Sequence, residues 1–182
     1  MSTKFGRSAL SAIFSECGRY RYRLDRAIGD GPPLGFILHN PSTAGATNDD
    51  PTSRRGIDYA KIFGFGRLIF INPWAMVATQ PRDLWLAEDP VGPQNDAHIR
   101  NVVAEVSKAG GKIVAAWGSI KPPAAKRAAA HSRIAALIAM IERNGGQLYA
   151  LGVNRDRSPK HPLYMRKDAT LSIWTGRDSH DL

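Results

Sequence analysis

The chain has 182 residues, 43% of them hydrophobic and 23% charged, with 25 Lys and Arg against 16 Asp and Glu, a formal charge of +9 and a pI near 10.1. That length can bury a sizeable core and predicts one domain over residues 1–182, with 175–182 as a flexible tail. The single cysteine, Cys17, excludes an internal disulfide and any thiolate metal cluster, and the five histidines show no HxH or HExxH spacing, so no metal or other cofactor is expected.

No apolar run approaches the roughly 20 residues a bilayer needs, and the N-terminal stretch lacks the long apolar centre of a signal peptide. The expected location is the cytoplasm. The excess of cations predicts a polyanionic partner, DNA first, with RNA or a nucleotide as the other options and no membrane.

Along the chain, Tyr20, Tyr22 and Leu24 alternate with arginines across residues 19–28, the period-two pattern of a half-buried strand, and Gly-Asp-Gly-Pro-Pro stops it. Residues 34–38 (LGFIL) are the first of four near-continuous apolar runs, the others being 67–72 (RLIFIN), 112–118 (KIVAAWG) and 147–152 (QLYALG). Such runs suit strands covered on both faces. Between them lie helical patterns. Residues 51–66 offer Ile57, Ala60 and Ile62 or Phe63 before Gly64. Residues 95–111 place Ile99, Val102, Val103 and Val106 on one stripe, with Asn95 or Asp96 as cap and Gly110 as stop. Residues 122–146 align Ile134, Leu137, Ile138 and Ile141 and end at Asn144-Gly145. This order predicts an α/β fold of three αβα layers: a central four-stranded, mainly parallel sheet with residues 19–28 as an antiparallel N-terminal edge strand.

In an open parallel sheet, ligands bind beyond the carboxyl ends of the strands. The site candidates are therefore His39, Asn40 and Ser42 after the first run, Asn72 and Trp74 after the second, Trp117 and Ser119 after the third, and the stretch from Asn154 to His161, Leu163 and Tyr164 after the fourth. No carboxylate sits immediately at a strand end, although Asp49 and Asp50 lie in the eighteen-residue polar loop at 38–55. An asparagine amide carries one acceptor and two donors in a plane and can pair with a nucleobase edge, while asparagine before proline, as at 40 and 72, is also a common turn residue. His161 can donate to an oxyanion or a departing base. Trp74, in a polar loop, is the better stacking candidate, and Trp117 reads as core or platform. Arg54, Arg55, Lys121, Lys126, Arg127, Arg155, Arg157 and Lys160 could line a rim for phosphates, to which Ser119 could add a backbone amide.

Four motifs in order, FILHNPS (36–42), LIFIN (68–72), IVAAWGSIKPPAAKR (113–127) and HPLY (161–164), resemble the uracil-DNA glycosylase superfamily. Through GRYRYRLDR (18–26), NPSTA (40–44), NDDPT (48–52), LGVNRDRSPKHPLY (151–164) and IW (173–174), the chain from residue 18 to 174 resembles more closely a bacterial family known as a domain of unknown function, DUF1643. The glycosylase resemblance implies hydrolysis or recognition of a damaged or modified base flipped from DNA, as in DNA repair or modification. Asn40 would hold water against the sugar C1′, Asn72 would read the base, Trp74 or Tyr59 would stack on it, and His161 would stabilise the departing anion. Leu38 and Ser42 stand where the first motif carries glycines, and Leu163-Tyr164 stands where the last carries Ser-Pro. Leu163 and Tyr164 could wedge into a base stack. Two other functions fit the same residues: a non-catalytic nucleic-acid-binding module, and an enzyme acting on a free nucleotide or modified base.

Overall fold

The structure, a computed structural model, describes residues 11–42 and 48–176. β1 (Ser11–Phe14), β2 (Arg21–Ala27), β3 (Pro33–Ile37), β4 (Arg67–Ile71), β5 (Lys112–Ala115), β6 (Leu148–Ala150) and β7 (Ser172–Ile173) form a seven-stranded sheet in the order β1-β2-β4-β3-β5-β6-β7. The four apolar runs are the parallel strands β4, β3, β5 and β6, and the pairings at both flanks are antiparallel. The helices are α1 (Pro51–Ile62), α2 (Pro81–Leu84), α3 (Asn95–Lys108) and α4 (Arg127–Arg143).

Alternate side chains of the parallel strands enter two separate cores. Leu34, Phe36, Leu68, Phe70 and Val114 pack with Tyr59 and Ala60 of α1. Ile37, Ile69, Ile71, Ile113 and Ala115 pack with Ile99, Val103 and Val106 of α3 and Leu137 and Ile141 of α4. Both faces of these strands are thus dry, which is why their sequences run apolar without alternating. At Gly56 the first helix comes very close to the sheet: an added Cβ would lie 2.7 Å from the Phe70 ring. The segment after β6 closes the same face, with the Tyr59 hydroxyl donating to the Arg166 carbonyl at 2.6 Å and Arg55 donating to the Met165 carbonyl.

Several sequence expectations need correction. The 19–28 segment is antiparallel but not an edge, because β1 pairs along its outer side. Its Tyr-Arg alternation reflects more than a half-exposed strand, since Arg21 and Arg26 are both buried. Asn95 does not cap α3 through its side chain. It is fully buried and donates to the Asn72 and Pro73 carbonyls, holding the end of β4. The last long helix starts at Arg127, not 122, after a single 3-10 turn at Ala124–Lys126. Pro122 precedes a proline and is steered away from the helical region, and Pro123 itself is extended at ψ 154°. The short helix α2 was not foreseen, since four residues are too few to display a helical period. Of the tail expected at 175–182, residues 177–182 lie outside the described residues. Among the described residues no helix is long and apolar enough to cross a membrane.

A bulge decides where β2 points its first arginine. Phe14 pairs with Arg21 and Ile13 with Arg23, so Tyr22 is left over in the ladder. One extra residue swaps the faces on which side chains emerge. Tyr22 stacks on His98 of α3, ring centroids 4.8 Å apart, while Arg21 lies on the opposite side beside Ser42 and Asp50. Beyond the bulge, Arg23 and Asp25 join Arg67 of β4 and Glu105 of α3 in a four-membered ion cluster, with Arg23–Glu105 and Arg67–Glu105 contacts of 2.7 Å each.

Burial alone would raise the Glu105 pKa, but the Arg23 hydrogen bond and the Arg23 and Arg67 charges outweigh it and hold the carboxyl below its ordinary value. A group whose pKa is depressed by folding stabilises above its unfolded value and loses that contribution as pH falls. Glu105→Gln is therefore expected to lower the melting temperature at pH 7. The gap to the parent should narrow as pH drops below about 4, the ordinary glutamate range. Melting curves at pH 7 and pH 3 check this, and a gap independent of pH would contradict it.

Candidate functional site

From β3 the chain crosses to β4 on one side and later to β5 on the other. The carboxyl ends of β3 and β5 therefore diverge at a topological switch point, the place where open α/β sheets hold ligands. A cavity of about 550 Å³ opens there. The end of β3 contributes Leu38, His39, Asn40 and Ser42, and the end of β5 contributes Trp117, Gly118, Ser119 and Lys121. Asp50, Thr52 and Ser53 come from the start of α1, Arg21 from the start of β2, and Asn154, His161, Leu163 and Tyr164 from the chain after β6.

His161 arrives by a short return loop. Val153 bridges to Pro159, the Asn154 amide donates to the Ser158 carbonyl at 2.9 Å, and the Gly118 amide donates to the Pro159 carbonyl at 3.0 Å, fastening the loop to the end of β5. Gly118 sits at φ +74°, and a Cβ there would be 3.4 Å from that of His161. Only glycine takes this conformation without strain while letting the imidazole approach. The Leu163 amide donates to His161 Nδ1 at 3.4 Å. Burial pushes the His161 pKa down, the Asp50 charge offsetting it only in part. The ring is therefore neutral at neutral pH. With Nδ1 accepting, its proton sits on Nε2, which makes Nε2–H a donor.

Asn40 is oriented by its own amide. Nδ2 donates to the Pro41 and Ala78 carbonyls, both at 2.9 Å, which leaves Oδ1 as an acceptor of fixed direction. His39 sets its ring edge-on to Trp74, centroids 5.0 Å apart, and burial lowers its pKa to about 4, with His161 adding to the effect, so it too is neutral.

Asp50 is both helix cap and cavity wall. Its carboxylate accepts from the Ser53 amide at 2.6 Å and from the Ser42 hydroxyl. Burial would raise its pKa, but these hydrogen bonds and the charge of Arg21 hold it below the usual carboxylate value. Arg21 in turn is buried, which lowers its pKa to about 10 against the opposing effect of Asp50, and it remains a cation at neutral pH.

Of the residues singled out from sequence, Asn40, His161, His39, Ser42, Trp117, Ser119, Lys121, Leu163 and Tyr164 line this one cavity. Asn72, Trp74 and Tyr59 do not. Asn72 is 2% exposed, with its Nδ2 buried and unpaired among the described residues. Trp74, 2% exposed, is wedged edge-on against Trp85 in a separate apolar cluster, because its loop is covered rather than open. Tyr59, on the buried face of α1, is stacked on Phe63 and fully covered. None of the three presents a face for stacking or reading a base.

The rim cations divide. Lys121 lies at the cavity and is exposed, whereas Arg54, Arg155, Arg157, Lys126 and Arg127 are exposed away from its lining. Arg55 is committed to the Met165 carbonyl and to the Tyr59 ring, its Cζ 5.2 Å from the centroid, and Lys160 is half-buried. The Ser119 hydroxyl hydrogen-bonds the Ser158 hydroxyl at 3.1 Å. Sequence reasoning gave no role to Arg21, Asp50, Thr52 or Ser53, whereas Asn154, the start of the stretch singled out after the fourth run, does line the cavity. The start of a helix that follows a parallel strand always lies at the strand's carboxyl edge, and that rule, applied to Asp50-Pro51, would have found the acid.

Residues 21–163, more than three quarters of the chain, match the model of the family described as "Protein of unknown function (DUF1643)". The chain belongs to that family. No curated protein and no solved structure matches it. The span shared with the DUF1643 family runs from Arg21 to Leu163 and so encloses every cavity-lining residue except Tyr164. Among the described residues, no three His, Cys, Asp or Glu side chains are grouped as a metal ion would need.

Proposed function

We propose that this chain is a uracil-DNA-glycosylase-like hydrolase that takes a damaged or modified nucleobase, flipped out of DNA, into the cavity between β3 and β5 and cleaves its N-glycosidic bond. The observation that carries this reading is that Asn40 and His161, 121 positions apart in the sequence, line one cavity with complementary hydrogen-bonding atoms. Asn40 Oδ1 accepts from a water and aims it at C1′. His161 Nε2–H donates to the base oxygen on which charge builds as the bond breaks, a task that a neutral imidazole performs in a water-poor site. A cavity of about 550 Å³ is of the size small ligands occupy and accommodates a base with its sugar. A base inside a duplex cannot be reached for chemistry, so the nucleotide must be extruded.

The αβα layering and the delivery of both residues from strand ends support the resemblance to the uracil-DNA glycosylase superfamily. The base is read differently, because Asn72 is buried outside the cavity. Asn154 and Lys121 are the polar groups available for that task, and Tyr164, 83% exposed at the mouth beside Leu163, meets the neighbouring bases. The net charge of +9 favours a phosphate backbone as the outer contact.

Labelled oligonucleotides carrying uracil, hypoxanthine, xanthine or a hypermodified pyrimidine test this. Incubation followed by alkali should break the strand at the modified position for at least one of them, and Asn40→Ala should slow that release. DNA binding should weaken with a linear log–log dependence on salt. Salt-sensitive binding with no release from any substrate would instead make the chain a binding module. Micromolar, salt-insensitive binding of mononucleotides would point to a free nucleotide as substrate.

A further inference from the structure

The long polar loop between β3 and α1 is more than a connection, because its last residue, Asp50, returns to the cavity that its first residues leave. Resting on the hydrolytic reading above, we propose that Asp50 is a catalytic residue: its carboxylate faces the sugar from the wall opposite the base and supplies the negative charge that no strand end provides.

Three observations converge. Asp50 lines the cavity together with Asn40 and His161, and its charge is felt by the His161 ring. Its position is held from two sides, by the Ser42 hydroxyl and by the Ser53 amide at the start of α1, so the carboxylate is fixed before any ligand enters. The loop itself is anchored to the sheet: Arg26, 1% exposed, donates to Asp49 at 2.6 Å and to the Asn48 carbonyl at 3.3 Å, and Arg54 donates to the Asp49 carbonyl. The acid at the helix start also argues against a phosphate being seated there, since it already occupies the position that an anion would take.

In the reaction the C1′–N bond breaks and its electron pair leaves with the base, stabilised by His161 Nε2–H. Positive charge grows on the sugar ring, and the Asp50 carboxylate faces it. Water held by Asn40 Oδ1 adds to C1′ and passes its proton to Asp50, which gives it up to solvent, while the base anion takes a proton from solvent on release, so that one water is consumed and no other reactant is needed. Because the bond to the base is largely broken before the water attacks, an electrostatic partner of low basicity is sufficient. Arg21 is a positioning residue here. Placed on this face by the β2 bulge, it adds its charge to the Ser42 and Ser53 hydrogen bonds that hold the Asp50 pKa down, and acts through that carboxylate. The other titratable or charged groups lining the same cavity are the neutral imidazoles of His161 and His39 and the Lys121 ammonium, and the neighbouring Asp49 is paired with Arg26.

Asp50→Asn is nearly isosteric and can still cap α1, since asparagine is among the preferred caps. With the oligonucleotides above, it should lower single-turnover base release at least 100-fold, leave KM within threefold, and abolish the acidic limb of the pH–rate profile. Arg21→Gln should move that limb to higher pH, a shift that a merely structural arginine would not produce. Melting curves of both variants confirm folding, and where Asp50→Asn melts early, the Arg21→Gln limb decides. If the parent releases base and Asp50→Asn retains a third or more of the rate, or if the limb stays in place in Arg21→Gln, the assignment of Asp50 is overturned while the hydrolytic reading stands. If the parent releases no base, both fall together.

Discussion

Replacing His161 with alanine is expected to reduce base release by about 100- to 1000-fold, the usual cost of removing one preorganised donor to a developing anion. The loss should fall on the chemical step. The imidazole is neutral and its Nε2–H is set by the Leu163 amide on the other nitrogen, so in the proposed reaction it would offer little to the ground state and much to the departing base. KM is expected to change by less than threefold, and His161→Gln, which restores a neutral N–H donor, should recover part of the rate. Single-turnover kinetics on the cleavable oligonucleotide measure both. Equal loss in both variants would show that the ring acts through shape and not through its donor. The fold should be untouched, because His161 sits outside both main cores.

The largest effect on stability is expected from Phe36→Ala. Phe36 is fully buried at the centre of β3, with its ring 6.2 Å from that of Phe70 and α1 packed over both. Removing it deletes the transfer energy of the ring and leaves a void that the flanking strands cannot close, since β4 and β5 are hydrogen-bonded to β3 on either side. Such substitutions cost about 3–5 kcal/mol, a large part of the stability of a domain this size. Urea denaturation should show the midpoint falling with the slope unchanged. Because β3 also delivers His39 and Asn40, the variant should lose base release steeply as temperature rises. A cost under about 1 kcal/mol would mean that the sheet is not packed as described.

The four parallel strands were legible because both of their faces are buried, so an apolar run of four or five residues leaves an unmistakable trace. Their order with the intervening helices then dictated the αβα layers, and the carboxyl-edge rule placed Asn40 and His161 near one another. What could not be read was which strand ends stay open. Asn72 and Trp74 follow β4 with the same local signature as Asn40 after β3, yet the chain that passes over them, α2 with Trp85 and the start of α3 with Asn95, covers them. That covering is tertiary and leaves no local mark.

Arg21 was hidden for a different reason. Its face is set by one unpaired residue in the ladder between β1 and β2, and the strand β1, four residues with Ile13 and Phe14 about 40% exposed (40% and 43%), has too weak a pattern to announce the bulge. The antiparallel direction of β2 nonetheless carried a usable hint, since it places the beginning of that strand, and not its end, at the ligand edge. The polar loop itself brings a carboxylate, Asp50, back to a strand end that carries none, with Arg26 on the sheet holding Asp49 and Ser42 at the loop's start holding Asp50.

The measurement closest to the central claim is a crystal structure of the unaltered protein bound to an oligonucleotide whose target nucleotide carries a fluorine at the sugar 2′ position to block cleavage. The extruded base should lie in the cavity between β3 and β5, with a carbonyl oxygen within hydrogen-bonding distance of His161 Nε2 and C1′ facing Asn40 Oδ1 and Asp50. Nucleic acid bound across another face, with this cavity holding only solvent, would contradict the account.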